Sequence, residues 1–502
     1  TYLLSALLLS IAFSCPHSLR AADAPAETAK QLLRDAGIAG GFVVHVGCGD
    51  GQLTAALKQS DVIQVHGLDR DPSNVAVARA AVDAAGSYGT IAVDRLTGDS
   101  LPYIDNLVNL LVLEDRKGIA DDEILRVLVP NGIALAKGAD GKWTKTVKPW
   151  PENIDDWTHY LHGPDGNPVA HDDVIDVPRH LQWLGSPKWS RHHDRMASMS
   201  ALVSDGGKLY YIQDEGSHVS ILLPPSWKLI CRDAFNGTIL WKRDIDKWQN
   251  HLFPLKSGPT QLARRLVAVD GIVYVTLGYE APLVALDGQT GERLRTYEGS
   301  ANCEEVIVSD GLVYTLSNRQ GLELREYAPI NPVVGDQKDV ADRWHWDEQQ
   351  RVVMCYEADT GKQLWAKEGL VSPLTLTADQ QKVCFHDGER VIAVERETGD
   401  LIWVTEPASR RSVVTFNFGP RLVLHEDVVL YAGGDGKMAS YDAKTGQQLW
   451  TAQHPNSGYQ SPQDLIVMKG LVWCAPTTSG RDTGVFTGRD PRTGEAKVEF
   501  PP

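Results

Sequence analysis

Residues 284–295 read Val284-Ala285-Leu286-Asp287-Gly288-Gln289-Thr290-Gly291-Glu292-Arg293-Leu294-Arg295, an apolar run closed by an acid and a Thr-Gly pair before a second run begins. Five further stretches keep that spacing: CRDAFNGTILW from Cys231 to Trp241, CYEADTGKQLW from Cys355 to Trp365, AVERETGDLIW from Ala393 to Trp403, SYDAKTGQQLW from Ser440 to Trp450 and GRDPRTGEAKV from Gly488 to Val498. The unit has the chemistry of a tight turn between antiparallel strands. The acid three residues ahead of Thr accepts backbone N–H bonds across the turn, Gly supplies a positive φ, and the Thr hydroxyl closes the loop. The Trp five residues after Thr is a large anchor that demands burial, and the space between one repeat's sheet and the next offers it. Ahead of each unit lies another turn and strand, such as Asp270-Gly271-Ile272-Val273-Tyr274 and Asp310-Gly311-Leu312-Val313-Tyr314. Repeats 38 to 70 residues apart and rich in short strands predict a β-propeller.

At 502 residues the chain is too long for one small fold. Hydrophobic residues at 42% and charged residues at 23% are ordinary globular usage, which argues against a disordered or polytopic membrane chain. A net charge of -16 is the wrong sign for a surface that tracks phosphates, so nucleic acid is not expected as a partner. The 45 Gly and 14 Trp suit many tight turns and many anchors. Seven cysteines without a C-x-x-C or an adjacent pair fit neither a zinc framework nor haem attachment.

Tyr2 to Ser14 is an apolar run of 13 residues followed by the small residues of Arg20-Ala21-Ala22-Asp23-Ala24. It falls short of the roughly 20 residues that span a bilayer and reads as a secretory signal over 1–24, its start lost because the chain opens on Thr1. That predicts a periplasmic or otherwise exported protein with no transmembrane span in the mature chain. Cys15 lacks the Leu-like residue three places before it that lipid anchoring needs, so a lipoprotein is disfavoured.

Between the signal and the repeats the pattern changes. Phe42-Val43-Val44-His45-Val46 runs into Gly47-Cys48-Gly49-Asp50-Gly51 and a helix-like QLTAALKQ, and Asp69 closes a second strand 18 residues after Gly51. Strand, glycine turn and helix start let a ligand approach the backbone at the carboxyl edge of a parallel sheet, and an acid at the end of the second strand accepts from ribose hydroxyls. Asp71-Pro72 caps the next helix. Further strands at 89–94 and 107–113, then ILRVLVPNGIALA, complete a Rossmann-like, doubly wound α/β domain.

At GCGDG, HGLDRDPSNVAVARA and LVPNG, about 100 residues in all, the module resembles class I S-adenosylmethionine-dependent methyltransferases, with LVPNG as their turn before the fifth strand. The resemblance implies that Gly47, Gly49 and Gly51 face the methionine part of the cofactor, Asp69 its ribose and Asp99 its adenine. Two positions depart from the family: His45 stands where an acid usually precedes the glycines, and Asn109 where the fourth strand usually carries Asp. Glu114 and Asp115 fall at the carboxyl edge of that strand, as catalytic or merely solvated acids. An exported chain also leaves the compartment where the cofactor is made, so binding and an inherited, inactive fold both stay open.

The repeats resemble the pyrroloquinoline-quinone-like unit A-x-D-x-x-T-G-x-x-x-W of quinoprotein dehydrogenases and of the propeller lipoprotein of the outer-membrane β-barrel assembly machinery. Trp157-Thr158-His159-Tyr160-Leu161-His162-Gly163-Pro164-Asp165-Gly166-Asn167 is similar to the W-x-x-x-R-G-P-x-x-x-G segment that precedes such repeats, with His162 in place of Arg. Six signatures are visible, leaving room for seven or eight blades in an intact protein. Quinone chemistry in the family needs a calcium site, an aspartate base and commonly vicinal cysteines; none transfers to this chain, so pyrroloquinoline quinone with calcium is the weaker cofactor expectation and S-adenosylmethionine the stronger. No catalytic residue is assigned. A propeller that binds a protein or polymer ligand on its face is favoured over a quinone oxidoreductase or a methyltransferase, and the excursion 317–350 around Trp344-His345-Trp346 is a candidate recognition loop.

Six of the 15 histidines, His159, His162, His171, His180, His192 and His193, lie in one connecting stretch beside Asp172, Asp173 and Asp194. His159-x-x-His162 is short enough to chelate, yet no complete ligand set emerges and no metal is assigned. The expected division is a signal over 1–24, an α/β domain over 25–140, a His- and Trp-rich connector over 141–180 and a propeller over 181–502.

Overall fold

Apolar runs without alternation, such as VNLLVL, belong to strands covered on both faces, and they form the centre of a parallel sheet. The structure is a computed structural model and describes residues 19–175, 177, 181–186, 190–191, 196–253, 260–321, 345–414, 419–454, 465–474 and 485–500. It divides into two compact units at Trp150 and Pro151.

The first unit holds α1 (Leu19–Ala36), β1 (Gly41–Val46), α2 (Gln52–Ala56), β2 (Ile63–Asp69), α3 (Pro72–Ala84), β3 (Ile91–Arg95), β4 (Val108–Leu113), α4 (Asp121–Val127), β5 (Leu128–Lys137) and β6 (Trp143–Val147). The sheet order is β3-β2-β1-β4-β5-β6, parallel except for β6, which runs antiparallel to β5. Ala29, Leu32, Leu33 and Ala36 recur at helical spacing and bury one face of α1 in the core with β1, β2 and β3. Asp71 caps α3 as its sequence predicts, its carboxylate accepting from the Ser73 N–H at 2.8 Å ahead of Pro72 at the first turn. LVPNG is not a turn before the fifth strand. It lies inside β5, where a register shift against β4 and Asn131 at φ 61° accommodate the proline. α1 runs unbroken through the small residues at 21–24. Residues 1–18, including Cys15, are outside the described set.

The second unit contains six four-stranded antiparallel sheets among the described residues. Each uses four consecutive strands: 199–244, 266–296, 303–369, 377–404, 421–453 and 466–500, which we call blades one to six. The turn chemistry is as read from sequence. Asp287 Oδ1 accepts from the Gln289 and Thr290 N–H groups at 3.0 and 2.7 Å and from the Thr290 hydroxyl at 2.9 Å. Asp442 repeats this arrangement around Thr445, and Glu395 reaches the same N–H groups despite its extra methylene.

The conserved geometry of the turn serves the seam between blades. The indole N–H of Trp241 donates to Gly288 O, of Trp365 to Arg396 O, of Trp403 to Ala443 O and of Trp450 to Pro491 O, at 2.9–3.1 Å. In every case the acceptor is the residue after the turn acid of the following blade. The indole then lies on that blade's turn glycine: a Cβ on Gly291 would sit 2.7 Å from Trp241 and one on Gly446 2.6 Å from Trp403. Where Arg295 replaces Trp, its guanidinium donates to Ala358 O, the equivalent carbonyl. Trp183, outside any repeat, supplies the same bond to blade one through Ala234 O at 2.8 Å.

Residues 157–167 hold the blades from within. The N–H of Ser204 donates to Trp157 O, of Ala268 to Thr158 O, of Ala378 to Pro164 O and of Leu424 to Asp165 O, at 2.8–3.0 Å. The Val308 N–H donates to His159 Nε2 at 3.1 Å. Asn167 exchanges two bonds of 2.9 Å with the Val467 backbone. These six partners lie on the first strand of each of the six blades in order. Gly166 is required here, since at φ 77° a Cβ would sit 2.6 Å from Leu422 O. His159 is fully buried and burial, reinforced by Arg264, pushes its pKa from 6.5 to about 3.

Replacing Asn167 with Ala strands a buried N–H and C=O of Val467 and is expected to cost about 2–4 kcal/mol in urea unfolding of the second unit, with Asn167→Asp intermediate. His159, at about 3, and His386, pushed to about 4 chiefly by burial, stay neutral in the fold while unfolded imidazoles titrate near 6.5. The unfolded state therefore takes up protons first, and stability measured at stepped pH should fall as pH drops from about 6.5 towards 3.

Candidate functional site

In the first unit the strand order reverses between β1 and β4, which places a crevice at their carboxyl ends. The glycine turn lies there. Gly47 and Cys48 donate to Leu68 O at 2.8 and 3.2 Å. A Cβ on Gly47 would meet Asp115 N at 2.8 Å, and one on Gly51 would meet Ala78 Cα at 2.7 Å, so both glycines are demanded by neighbouring backbone. Gly49, at φ 51°, faces open space where a Cβ would stand. α2 has only five residues, too short to offer a helix-terminal anion site.

Asp69 stands at the end of β2, 7% exposed. Its Oδ2 accepts from the Gly49 N–H at 2.9 Å, and its Oδ1 from the Asp71 N–H at 2.9 Å and the Asn74 amide at 3.2 Å. Three of about four acceptor positions on the carboxylate are thereby committed to holding the turn against β2 and α3. Asp99 pairs with Arg70 at 2.8 Å, and Arg70 also donates to Lys117 O. Thus Gly47, Gly49, Gly51 and Asp69 come together, while Asp99 is drawn to Arg70.

His45 is fully buried, with Nδ1 2.8 Å from Thr54 Oγ1 and Nε2 3.5 Å from Glu114 Oε2. The His45 ring, against partial burial and with help from Lys137, holds the Glu114 carboxyl down to about 2. A carboxylate that weakly basic is a poor proton acceptor. Asn109 lies at the opposite end of the sheet, its Oδ1 accepting from the Phe42 N–H at 2.7 Å, so its identity has no bearing on the crevice.

In the second unit His159 and His162, close enough in sequence to chelate, point to different places. His159 turns inward to blade three, while His162 turns to Asp155 Oδ2 at 2.6 Å. The His171 N–H donates to the same oxygen at 2.7 Å, and the two histidine rings meet edge to face at 5.1 Å. Burial raises the Asp155 pKa, but the His171 N–H and the His162 ring outweigh it and leave the carboxyl below its ordinary value. His180, His192, His193, Asp194 and Trp344 lie outside the described residues. Among the described residues six cysteines are free and buried, and burial raises the thiol pKa of each.

A cleft of about 1080 Å3 opens beside the chain that leaves blade one, walled by Trp227, Ile245, Trp248, Leu252 and Leu277 with Asp246, Lys247 and Arg293. Gln249 also lines it, fully buried, and neither atom of its amide has a hydrogen-bond partner among the described residues. No sequence signal marked Gln249, Asp155 or Arg70.

The topology and the seams define a chain with a methyltransferase-like Rossmann domain followed by a quinoprotein-type β-propeller. A methyltransferase domain family model matches residues 43–132, and the model of the outer membrane protein assembly factor BamB matches residues 340–467. Among solved structures the chain is similar to BamB from Moraxella catarrhalis, with 14% identity over 60% of this chain and 74% of that one, at a TM-score of 0.37. A europium-containing methanol dehydrogenase shows 11% identity over 69% and 78%, at 0.43. The YcgJ protein of Bacillus subtilis shows 23% identity over 22% of this chain and 49% of its own length, at 0.20. Nothing among the curated proteins matches. Among the described residues no helix is long and apolar enough to cross a membrane.

Asp69→Asn turns an amide N–H towards the Gly49 N–H. It is expected to destabilise the first unit by about 1–3 kcal/mol in thermal unfolding without any cofactor present.

Proposed function

We propose that this is an exported propeller protein that recognises an extended protein or polymer strand, and that its methyltransferase-like domain has a weakened hold on S-adenosylmethionine. One observation carries the recognition role: the blade-one cleft, lined by apolar and charged side chains and by Gln249, whose amide is orphaned. A primary amide presents a donor and an acceptor side by side, the complement of one peptide unit, and leaving both unmet in a buried place is costly unless a ligand meets them. The BamB family match supports a protein partner, and the apolar run of residues 2–14 supports export. Asp69's internal bonds and the Arg70–Asp99 pair favour a weakened cofactor site. The open face of Gly49 and the methyltransferase family match are what favour retained cofactor binding as a second reading.

An array of extended peptides, followed by fluorescence anisotropy on the full chain, tests the recognition role. Gln249→Leu should weaken the best peptide by at least about tenfold, or ~1.4 kcal/mol, while leaving stability unchanged or higher because it removes two unsatisfied atoms. No saturable peptide, or equal affinity in the variant, would sink the assignment. Calorimetric titration with S-adenosylmethionine should give no saturable heat at millimolar ligand. Saturable heat in the parent chain would establish the second reading instead.

A further inference from the structure

We infer that Asp155, His162 and His171 form a binding site for a divalent first-row transition ion of the zinc type. One ligand atom from each residue lies within 4.8 Å of the others. A tetrahedral shell with bonds of ~2.0–2.2 Å sets its donors roughly 3.3 Å apart. His162 Nε2 and Asp155 Oδ2, now 2.6 Å apart and sharing a proton, need to open by less than 1 Å, and the exposed His171 ring needs to swing inward. Two imidazoles and one carboxylate are a borderline donor set, suited to zinc, nickel or copper and unsuited to magnesium or calcium, which prefer all-oxygen shells.

The surroundings hold two of the three ligands in place. His162 sits at φ 68°, an uncommon conformation for a residue with a side chain, and Trp157 meets its ring edge to face at 5.4 Å. Its backbone is paired both ways with His159, at 3.1 and 3.2 Å. Asp155 is oriented by the Asp156 N–H on Oδ1 at 2.8 Å, and its own N–H donates to Asp172 Oδ1 at 2.9 Å. Such outer contacts fix the direction of a ligand and raise affinity. The solvent side, where His171 is exposed, leaves room for water to complete the shell. An ion there would tie residues 155–162, at the start of the stretch that meets the blades, to the chain returning at 171.

The experiment is calorimetric titration of zinc chloride into the full chain, free of any histidine tag and stripped with chelator, with cobalt(II) absorption as a second readout. We expect one equivalent bound, a cobalt ligand-field spectrum of four-coordinate type, and a zinc-dependent rise in thermal midpoint. His171→Ala alters an exposed side chain and should fold. It is expected to weaken binding by more than the roughly 10–100-fold cost of losing an outer-shell partner, and to remove the thermal rise. His162→Gln should do the same, whereas the exposed His218→Ala should bind as the parent does. Absence of a tight equivalent in the parent, or undiminished binding in His171→Ala, would overturn the proposal and leave the three residues as a hydrogen-bonded turn.

Discussion

The hydrogen bonds from residues 157–167 to the first strand of each described blade are the constraint on which the second unit depends. The first strand of a four-stranded sheet has one edge with no neighbour in its own sheet, and in a propeller that edge points inward where N–H groups need a partner. A single extended stretch answers all six blades, one contact after another along its length. His159 and Asn167 do with side chains what the other residues do with carbonyls, which is why both are buried. The seams add a second, peripheral set of bonds, so each described blade is fastened at its inner edge and at its turn. Hydrophobic clusters fall between successive blades and fill the space these two fastenings define.

The blades were legible because their signals are local. Asp287, Thr290 and Gly291 lie within five residues, and a turn built within five residues writes its geometry into adjacent sequence. The role of Trp241 was legible for the same reason, since burial of an indole at a fixed distance from a turn has few solutions. The inner stretch was quoted as a motif but its place was not readable, because its partners lie between 47 and 300 residues away and share no pattern beyond belonging to strands. Trp183 escaped because it performs the seam's chemistry without the turn that advertises it. LVPNG misled because a proline within a strand is ordinarily a boundary, and here a register shift absorbs it.

In the first unit the glycine turn follows β1 and Asp69 ends β2, positions that follow from the order of strand, turn and helix along the chain. Their chemical availability was not readable. That Asp69 spends its oxygens on Gly49, Asp71 and Asn74 depends on the curl of the turn, and that Asp99 leans to Arg70 depends on two separate loops meeting. The histidines show the same limit. His159 and His162 are near in sequence but bridge each other through their backbones, which sends one ring inward and the other to Asp155. The partner His171 arrives only because the chain doubles back.

The inner stretch also sets the order in which the molecule can be finished. Asn167 leaves the ribosome 300 residues ahead of Val467, the residue it must clasp. Blades pair locally and can form as they emerge, but the stretch that unites them stays partly unsatisfied until the sixth is made. Contacts of such long sequence separation are slow to form and leave edges exposed in the interval. Within the second unit, the segment made first is satisfied last. Its exposed period therefore lasts at least until the sixth blade is built and Val467 can meet Asn167.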